Sequence, residues 1–485
     1  MNNGLKTKIF SGLFWKFGER ILAQGISFAV SVVLSRLLLP NDYGVVAIVL
    51  IFINIANVFV TSGFPTALVQ NKEADDVDFS TNFFCSLAMS VVVYGVMFLI
   101  APVIADFYKM SELILIVRVF ALRIPLSAFS AIQHAYVERH MLFKRYFFST
   151  LFGTLFSGIV GIYLAYKGFG VWALIAQYFT NTIIDIIVLL ITIDWRPRLV
   201  FSIQSAKKMM SYGSKILLAD LSGTFFDQLR GLIIGKIYTS SDLAYYNKGN
   251  QLPNLITTNV SASIMTVLFP AISNINDDNE RVKELTRKST KTMAYIIMPM
   301  LLGLACVSKP LIIILFTEKW IQTIPYIQIL SLACAIGMIG SVSLQTIKAV
   351  GRSDIILKIE FIKKPVYVLL LIAGAFISPL AVAVTMLIYN IFSSFINSYQ
   401  LSKVIKYSCK QQLVDLGSAF SICLIMCVFV YPISLLNINY WLMIGLQVVV
   451  GIILYLALSK VTRNESYYAI TNMIKEKLNG DKKTL

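Results

Sequence analysis

The chain has 485 residues, 57% of them hydrophobic and only 14% charged, with a mean hydropathy of +0.75. Soluble globular chains are about 45–50% apolar and about 25% charged, so this composition excludes a water-soluble enzyme and makes lipid the solvent over most of the length. The 42 Lys and Arg against 25 Asp and Glu give a formal charge of +17, but the basic residues fall in short connections with no aromatic interleaving, which excludes nucleic-acid binding and leaves membrane topology as the explanation.

A helix needs about 20 apolar residues to cross the hydrocarbon core. On that length the sequence predicts about fourteen spans, near 13–38, 44–68, 80–104, 112–137, 146–166, 170–193, 214–238, 243–273, 292–316, 324–350, 356–377, 380–402, 415–436 and 440–459. Met1 to Lys16 leads into an apolar run longer than a signal-peptide core and without a small-residue cleavage site, so the first span is expected to be retained. Alternate connections carry the cations: Arg139, Lys144, Arg145, Arg196, Arg198, Lys207, Lys208, Arg281, Lys283 and the tail from Lys475 lie on one side, and little beyond Lys109, Lys167 and Lys319 on the other. The positive-inside rule then puts both termini in the cytoplasm.

Ionisable side chains within spans cost about 2.5–3.5 kcal/mol each near a helix centre, so they should face a cavity or a partner. The first span carries Glu19 and Arg20, about 100° apart on a helix, within a polar stripe of Lys16, Gln24, Ser27 and Ser31. In the fourth, Arg123 sits about midway beside Pro125 with no acid one turn away. The seventh places Asp220, Thr224 and Asp227 on one face with Arg230 one turn from Asp227, as an intrahelical pair or as cavity groups, and the eighth adds Lys248, Asn250 and Asn254. Arg36, Arg118 and Lys236 lie where long cations snorkel to the interface. His134 and His140 are read as interfacial, and the acids Glu73, Asp75, Asp76 and Asp78 as a capping run before the third span. The six cysteines lie mostly in apolar runs without neighbouring histidines, so neither a metal site nor a cofactor is expected. No G-x-x-x-x-G-K-[ST] loop occurs.

The chain also repeats itself. Arg36 is followed by Asp42-Tyr43-Gly44 at a helix corner, and Lys236 by Asp242-Leu243-Ala244 at the corner two hundred positions on. Such a parallel repeat relates two halves by an axis along the membrane normal.

Further short patterns carry a resemblance: Arg36 to Gly44, Glu138-Arg139 with Phe143-Lys144, Gly168-x-Gly170-Val171-Trp172-Ala173-Leu174, Tyr246-Asn247-Lys248, Leu252-Pro253, Leu268-Phe269-Pro270, Phe316-x-x-x-Trp320 and Gly351-Arg352. In this order the chain resembles, over nearly its whole length, the polysaccharide transporters of the multidrug, oligosaccharidyl-lipid and polysaccharide exporter superfamily, the Wzx-type flippases. The resemblance implies an all-α polytopic membrane protein of about fourteen transmembrane helices, in two pseudo-symmetric six-helix bundles plus two C-terminal helices. With the repeat it divides the chain into an N-terminal bundle over 1–200, a C-terminal bundle over 201–405, an additional helix pair over 406–460 and a cytoplasmic tail over 461–485. The implied activity is translocation of polyprenyl-diphosphate-linked oligosaccharide across the bacterial inner membrane for surface polysaccharide, with membrane lipid, a polysaccharide polymerase and assembly proteins as partners. For such a cargo Arg20, Arg123, Arg230 and Lys248 are the expected anion-binding residues, and Glu19 and Asp227 the expected carriers of a coupled ion; Phe226-Asp227-Gln228 resembles a family position that often holds an acid. Export of a peptidoglycan precursor or drug, and a membrane glycosyltransferase or polymerase, are the competing readings. Deep cations argue against cationic drugs, and the lack of a sizeable loop argues against an enzyme.

Overall fold

The computed structural model describes residues 3–71 and 73–480, and their regular structure is helical throughout. In chain order the first helices are α1 (Asn3–Leu37), α2 (Pro40–Thr61), α3 (Gly63–Gln70), α4 (Asp76–Tyr108), α5 (Leu113–Ala121), α6 (Arg123–Arg139), α7 (Phe143–Tyr166), α8 (Val171–Thr192) and α9 (Ile203–Ile237). They are followed by α10 (Ser240–Ser273), α11 (Asn279–Phe316), α12 (Ile324–Ala349), α13 (Ser353–Ala375), α14 (Pro379–Ile405), α15 (Cys409–Val430), α16 (Tyr440–Val461) and α17 (Glu465–Gly480). With α2 and α3 counted as one rod, α5 and α6 as another, and α17 set aside, the seventeen helices of the described residues reduce to fourteen rods, one for each span expected. Eleven of these are long and apolar enough to cross a membrane. The other three are α1, whose apolar part is Ile21–Leu37, and the charge-bearing α9 and α13.

Two expected spans are broken, and proline is the reason. Pro65 and Pro125 are each the third residue of the second segment, so the carbonyls of Thr61 and Ala121 four residues back lack their N–H partner. At the second break Leu122 instead donates to Val119 at 3.1 Å, a tighter turn. Arg123 thereby becomes the first residue of α6. Other helices begin earlier than hydrophobicity alone indicates. Ser202 caps α9, accepting from the Ser205 N–H at 3.3 Å, and Asp278 caps α11, accepting from Glu280 and Arg281 at 3.2 and 3.1 Å. The acid run before α4 is a capping box: the Asp78 N–H donates to Asp75 at 2.8 Å and the Asp75 N–H to Asp78 at 3.3 Å.

The chain divides into two compact units, Met1–Ala244 and Tyr245–Leu485. Within the first, α9 packs on α2, α3 and α4, although the repeat sets it at the head of the second bundle. The two repeated corners share one local device: Asp42 accepts from the Leu39 N–H at 2.9 Å, and Asp242 accepts from the Thr239 N–H at 3.1 Å and its hydroxyl at 2.7 Å. They also touch, since Ser240 lies against the Gly44 backbone and its hydroxyl donates to the Asn41 side chain. Arg139 ties α6 to the end of α3 by donating to the carbonyls of Leu68 at 3.0 Å, Ala74 at 2.9 Å and Asn71, which places a cation on the negative pole of that helix. Lys236 rests over the Phe107 ring at 4.3 Å and Arg118 over Phe98 at 4.1 Å, so their stems cover apolar surface as snorkelling requires.

In the second unit α12 and α14 approach closely at Gly337 and Gly340, where Asn390, Ser394 and Asn397 donate to the carbonyls of Ala333, Ile336 and Gly340 at 2.8, 2.9 and 3.1 Å. Small residues with side-chain amides and hydroxyls across the seam are how helices associate where no hydrophobic force acts between them. At the charged end of the same unit Asp415 accepts from Arg287 at 2.6 and 2.8 Å and from the Tyr407 hydroxyl at 2.7 Å, and Lys291 joins it at 3.2 Å while bridging to Glu465 of α17 at 2.7 Å. A carboxylate with that many donors is stable where a lone one is not.

Candidate functional site

The breaks at Ser62 and Leu122 open a cavity of about 760 Å³ inside the first unit. One face of α6 runs along it, presenting Arg123, Ser127, Ser130, His134 and Glu138 at steps of three and four residues. Opposite stand Asn181, Thr182 and Asp185 of α8 and Tyr146 and Thr150 of α7, while Thr61, Thr66 and Gln70 of α2 and α3 and Tyr212 of α9 complete the wall. At 1.5 Å per residue the stripe from Arg123 to Glu138 extends about 22 Å.

Arg123 donates from Nε to the Thr182 hydroxyl at 3.0 Å, and that hydroxyl donates onward to the Tyr178 carbonyl at 3.1 Å. The guanidinium carbon lies 5.3 Å from the centre of the Tyr178 ring, within cation–π range. Among the described residues no carboxylate pairs with it, so both Nη groups remain as donors to whatever fills the cavity. This arrangement fits a planar or bidentate anion, which takes two parallel N–H bonds from the free edge of the fork.

One turn beyond Thr182 on α8, Asp185 is buried and its Oδ2 accepts from the Ser130 hydroxyl at 2.7 Å and from His134 Nε2 at 2.8 Å. The imidazole in turn meets the Tyr146 ring edge-on, 4.9 Å between centres. His134, itself half-exposed, thus has a partner that the sequence did not indicate: the two residues lie 51 positions apart, and only the packing of α6 on α8 brings them together. Asp185 is the site residue sequence reasoning passed over. Its signal was present, a single acid within Ile183-Ile184-Asp185-Ile186-Ile187, which lipid would not tolerate unpartnered.

Among the described side chains, Arg123 is the expected site residue that lines this cavity. The Arg20 side chain lies outside the described residues. Glu19 is half-buried on α1, and Arg230 is half-buried and Asp227 exposed on α9. Lys248 belongs to the second unit, buried with its ammonium 4.4 Å from the Phe316 ring and 5.4 Å from Trp320.

Comparison with known proteins bears on what such a cavity serves. A family model described as "Polysaccharide biosynthesis protein" matches residues 33–325. The chain is 23% identical over 449 residues to the lipopolysaccharide biosynthesis protein WzxC of Escherichia coli (strain K12), covering 89% of this chain and 88% of that one. It is 25% identical over 388 residues to the teichuronic acid biosynthesis protein TuaB of Bacillus subtilis (strain 168), covering 78% and 79%. It is 23% identical over 342 residues to the succinoglycan biosynthesis transport protein ExoT of Rhizobium meliloti (strain 1021), covering 70% and 69%. Among solved structures the fold matches the lipid II flippase MurJ with a TM-score of 0.74 at 16% identity, over 94% of this chain and 99% of that one. An inward-facing multidrug resistance MATE family transporter matches with a TM-score of 0.60 at 16% identity, over 79% and 96%.

Proposed function

Because the chain belongs to the polysaccharide biosynthesis protein family, we propose that it is a flippase that moves polyprenyl-diphosphate-linked oligosaccharide from the cytoplasmic to the periplasmic leaflet of the bacterial inner membrane, for O-antigen, capsule or exopolysaccharide assembly. The observation that carries this reading is Arg123, a cation with two unused donors in a hydroxyl-lined cavity inside a membrane-spanning unit. The cargo's tail can stay in hydrocarbon, but its diphosphate and sugars cannot cross it unaided, and a charged group at the bilayer centre is costly without a partner. Arg123 replaces phosphate hydration with charge-assisted hydrogen bonds, and Thr61, Thr66, Ser127, Thr150 and Asn181 offer hydroxyls and an amide to sugars. Exposing the cavity alternately to either face completes transport without any covalent step, so the protein is a carrier and not an enzyme. The relatives named as biosynthesis and transport proteins support this reading, and MurJ supports the fold for it.

The test is leaflet-resolved. Proteoliposomes holding purified protein and labelled lipid-linked oligosaccharide are probed with a reagent that reaches only the outer face. Protein-dependent movement of the label is expected, and its absence with proton and sodium gradients imposed, or movement of lipid II alone, would overturn the reading.

Orientation rests on the loop cations. Reporter fusions in the loop at Arg198 and after Lys475 are expected to report cytoplasm, and one at Gly168 periplasm. The reverse pattern would invert the transport direction proposed.

A further inference from the structure

Leu199 is 94% exposed, more than any other large apolar side chain of the described residues, and it belongs to a connection rather than to a helix. Between α8 and α9 the chain reads Asp194-Trp195-Arg196-Pro197-Arg198-Leu199-Val200-Phe201-Ser202, and Leu199, Val200 and Phe201 are all exposed, followed by Ile203 at the start of α9. The segment is fastened to the first turns of α4. The Arg198 N–H donates to the buried Ser80 hydroxyl at 3.1 Å, the Ser202 N–H to the buried Thr81 hydroxyl at 3.0 Å, and the Ser205 hydroxyl to Asp78. Trp195 is buried against Phe79, Phe83 and Tyr136, and Arg196 donates to the carbonyls of Ile193 and Trp195 at 2.6 and 2.7 Å, closing the end of α8. A backbone held at these points keeps the apolar side chains outward.

Cations flank them. The Arg198 side chain is 70% exposed, and its partner Asp76, 3.6 Å away, is also open to solvent. Lys207 stands one turn beyond Ile203 on the same face of α9, with Lys208 beside it, and both are exposed. Asp194, the acid of the same connection, pairs with Arg145 at 3.6 Å. The level is that of the membrane boundary, because α4 begins and α8 ends here, and both are long and apolar enough to cross a membrane. Irregular backbone does not enter hydrocarbon, so the segment lies among the headgroups with its side chains reaching the acyl boundary. Exposed apolar groups beside lysine and arginine at that depth are how an interfacial element holds a membrane surface.

We infer that residues 198–208 form a lipid-binding wedge, in which Leu199, Phe201 and Ile203 insert at the acyl boundary and Arg198, Lys207 and Lys208 bind the phosphate of an anionic phospholipid. The inference is independent of the cargo and needs only the membrane-spanning fold. A soluble protein docked on the same knob would have to displace lipid already beside α4 and α8.

The test places an environment-sensitive fluorophore at Val200→Cys, in full-length protein whose six native cysteines are replaced by alanine, in liposomes of phosphatidylcholine and phosphatidylglycerol. Brominated acyl chains of either lipid are expected to quench it and aqueous iodide is not. Phosphatidylglycerol is expected to quench at roughly fivefold lower mole fraction, the preference one surface cation produces, and Lys207→Gln with Lys208→Gln is expected to shrink that preference several-fold. Quenching by iodide and not by brominated lipid would put the segment in water, open to a soluble protein, and overturn the inference. Equal quenching by the two lipids, or a preference unchanged in the lysine double variant, would overturn the anionic headgroup. If the cysteine-free protein does not accumulate, thermal unfolding of the protein with its native cysteines in nanodiscs decides: phosphatidylglycerol is expected to raise the midpoint above that in phosphatidylcholine, and the lysine double variant to lose the gain. Equal midpoints in the two lipids would overturn the inference.

Discussion

Replacing Arg123 by alanine is expected to reduce translocation by two orders of magnitude or more while the protein still inserts and accumulates. The side chain's own structural bonds are few, one to the Thr182 hydroxyl at 3.0 Å and the Tyr178 ring contact, so its loss removes little that holds α6 to α8. What disappears is the pair of free Nη donors. Hydrogen bonds to charged groups are worth about 1.5–3 kcal/mol each, and two of them lost from a diphosphate correspond to roughly a 10²–10⁴-fold loss in affinity. Arg123→Lys is expected to recover only part of the activity, because an ammonium keeps the charge but not the two-pronged geometry. The readout is the leaflet-resolved assay together with abundance in the membrane. An alanine variant that flips at the wild-type rate would remove Arg123 from the site.

The second large effect is on folding and centres on Gly44. A Cβ built there would lie 1.9 Å from the Ser240 carbonyl oxygen and 2.3 Å from its carbon. Those are backbone atoms, which no rotamer change can move aside, so even Gly44→Ala must push the start of α10 away from α2. Overpacking a well-packed site costs typically about 1–3 kcal/mol, and more is expected where the obstacle is main chain. Gly44→Leu should leave little monodisperse protein in detergent, and Gly44→Ala should unfold at clearly lower temperature. Gly95→Ala is the control, since no atom lies within 4 Å of its Cβ position and alanine favours the helix. A Gly44→Leu protein that runs as a sharp peak with unchanged thermal stability would show that the two corners can separate without penalty.

Gly44 also shows how far a sequence pattern carries. As part of the repeated corner it was legible as a turn, and the Asp42 and Asp242 locks follow from that pattern. That the two corners rest on one another was not legible, because a repeat states similarity and not contact. Arg123 marks the same boundary from the other side. An unpaired arginine in an apolar run had to face something polar, and Pro125 beside it announced the break, yet its partner Thr182 lies 59 residues away.

By itself the sequence determined the solvent, the class of fold and the fourteen rods, because hydrocarbon demands about 20 apolar residues per crossing and allows no unsatisfied backbone. Loop cations and short patterns pointed to orientation and family for the same local reasons. The tertiary structure decided which ionisable groups share a space. Lys248 went to an aromatic pocket of Phe316 and Trp320, while His134 and Asp185, whose pairing no local pattern announces, met across two helices. A helix face is set by rotation about its axis, and that rotation is fixed by the neighbours it packs against, so no window of consecutive residues contains it.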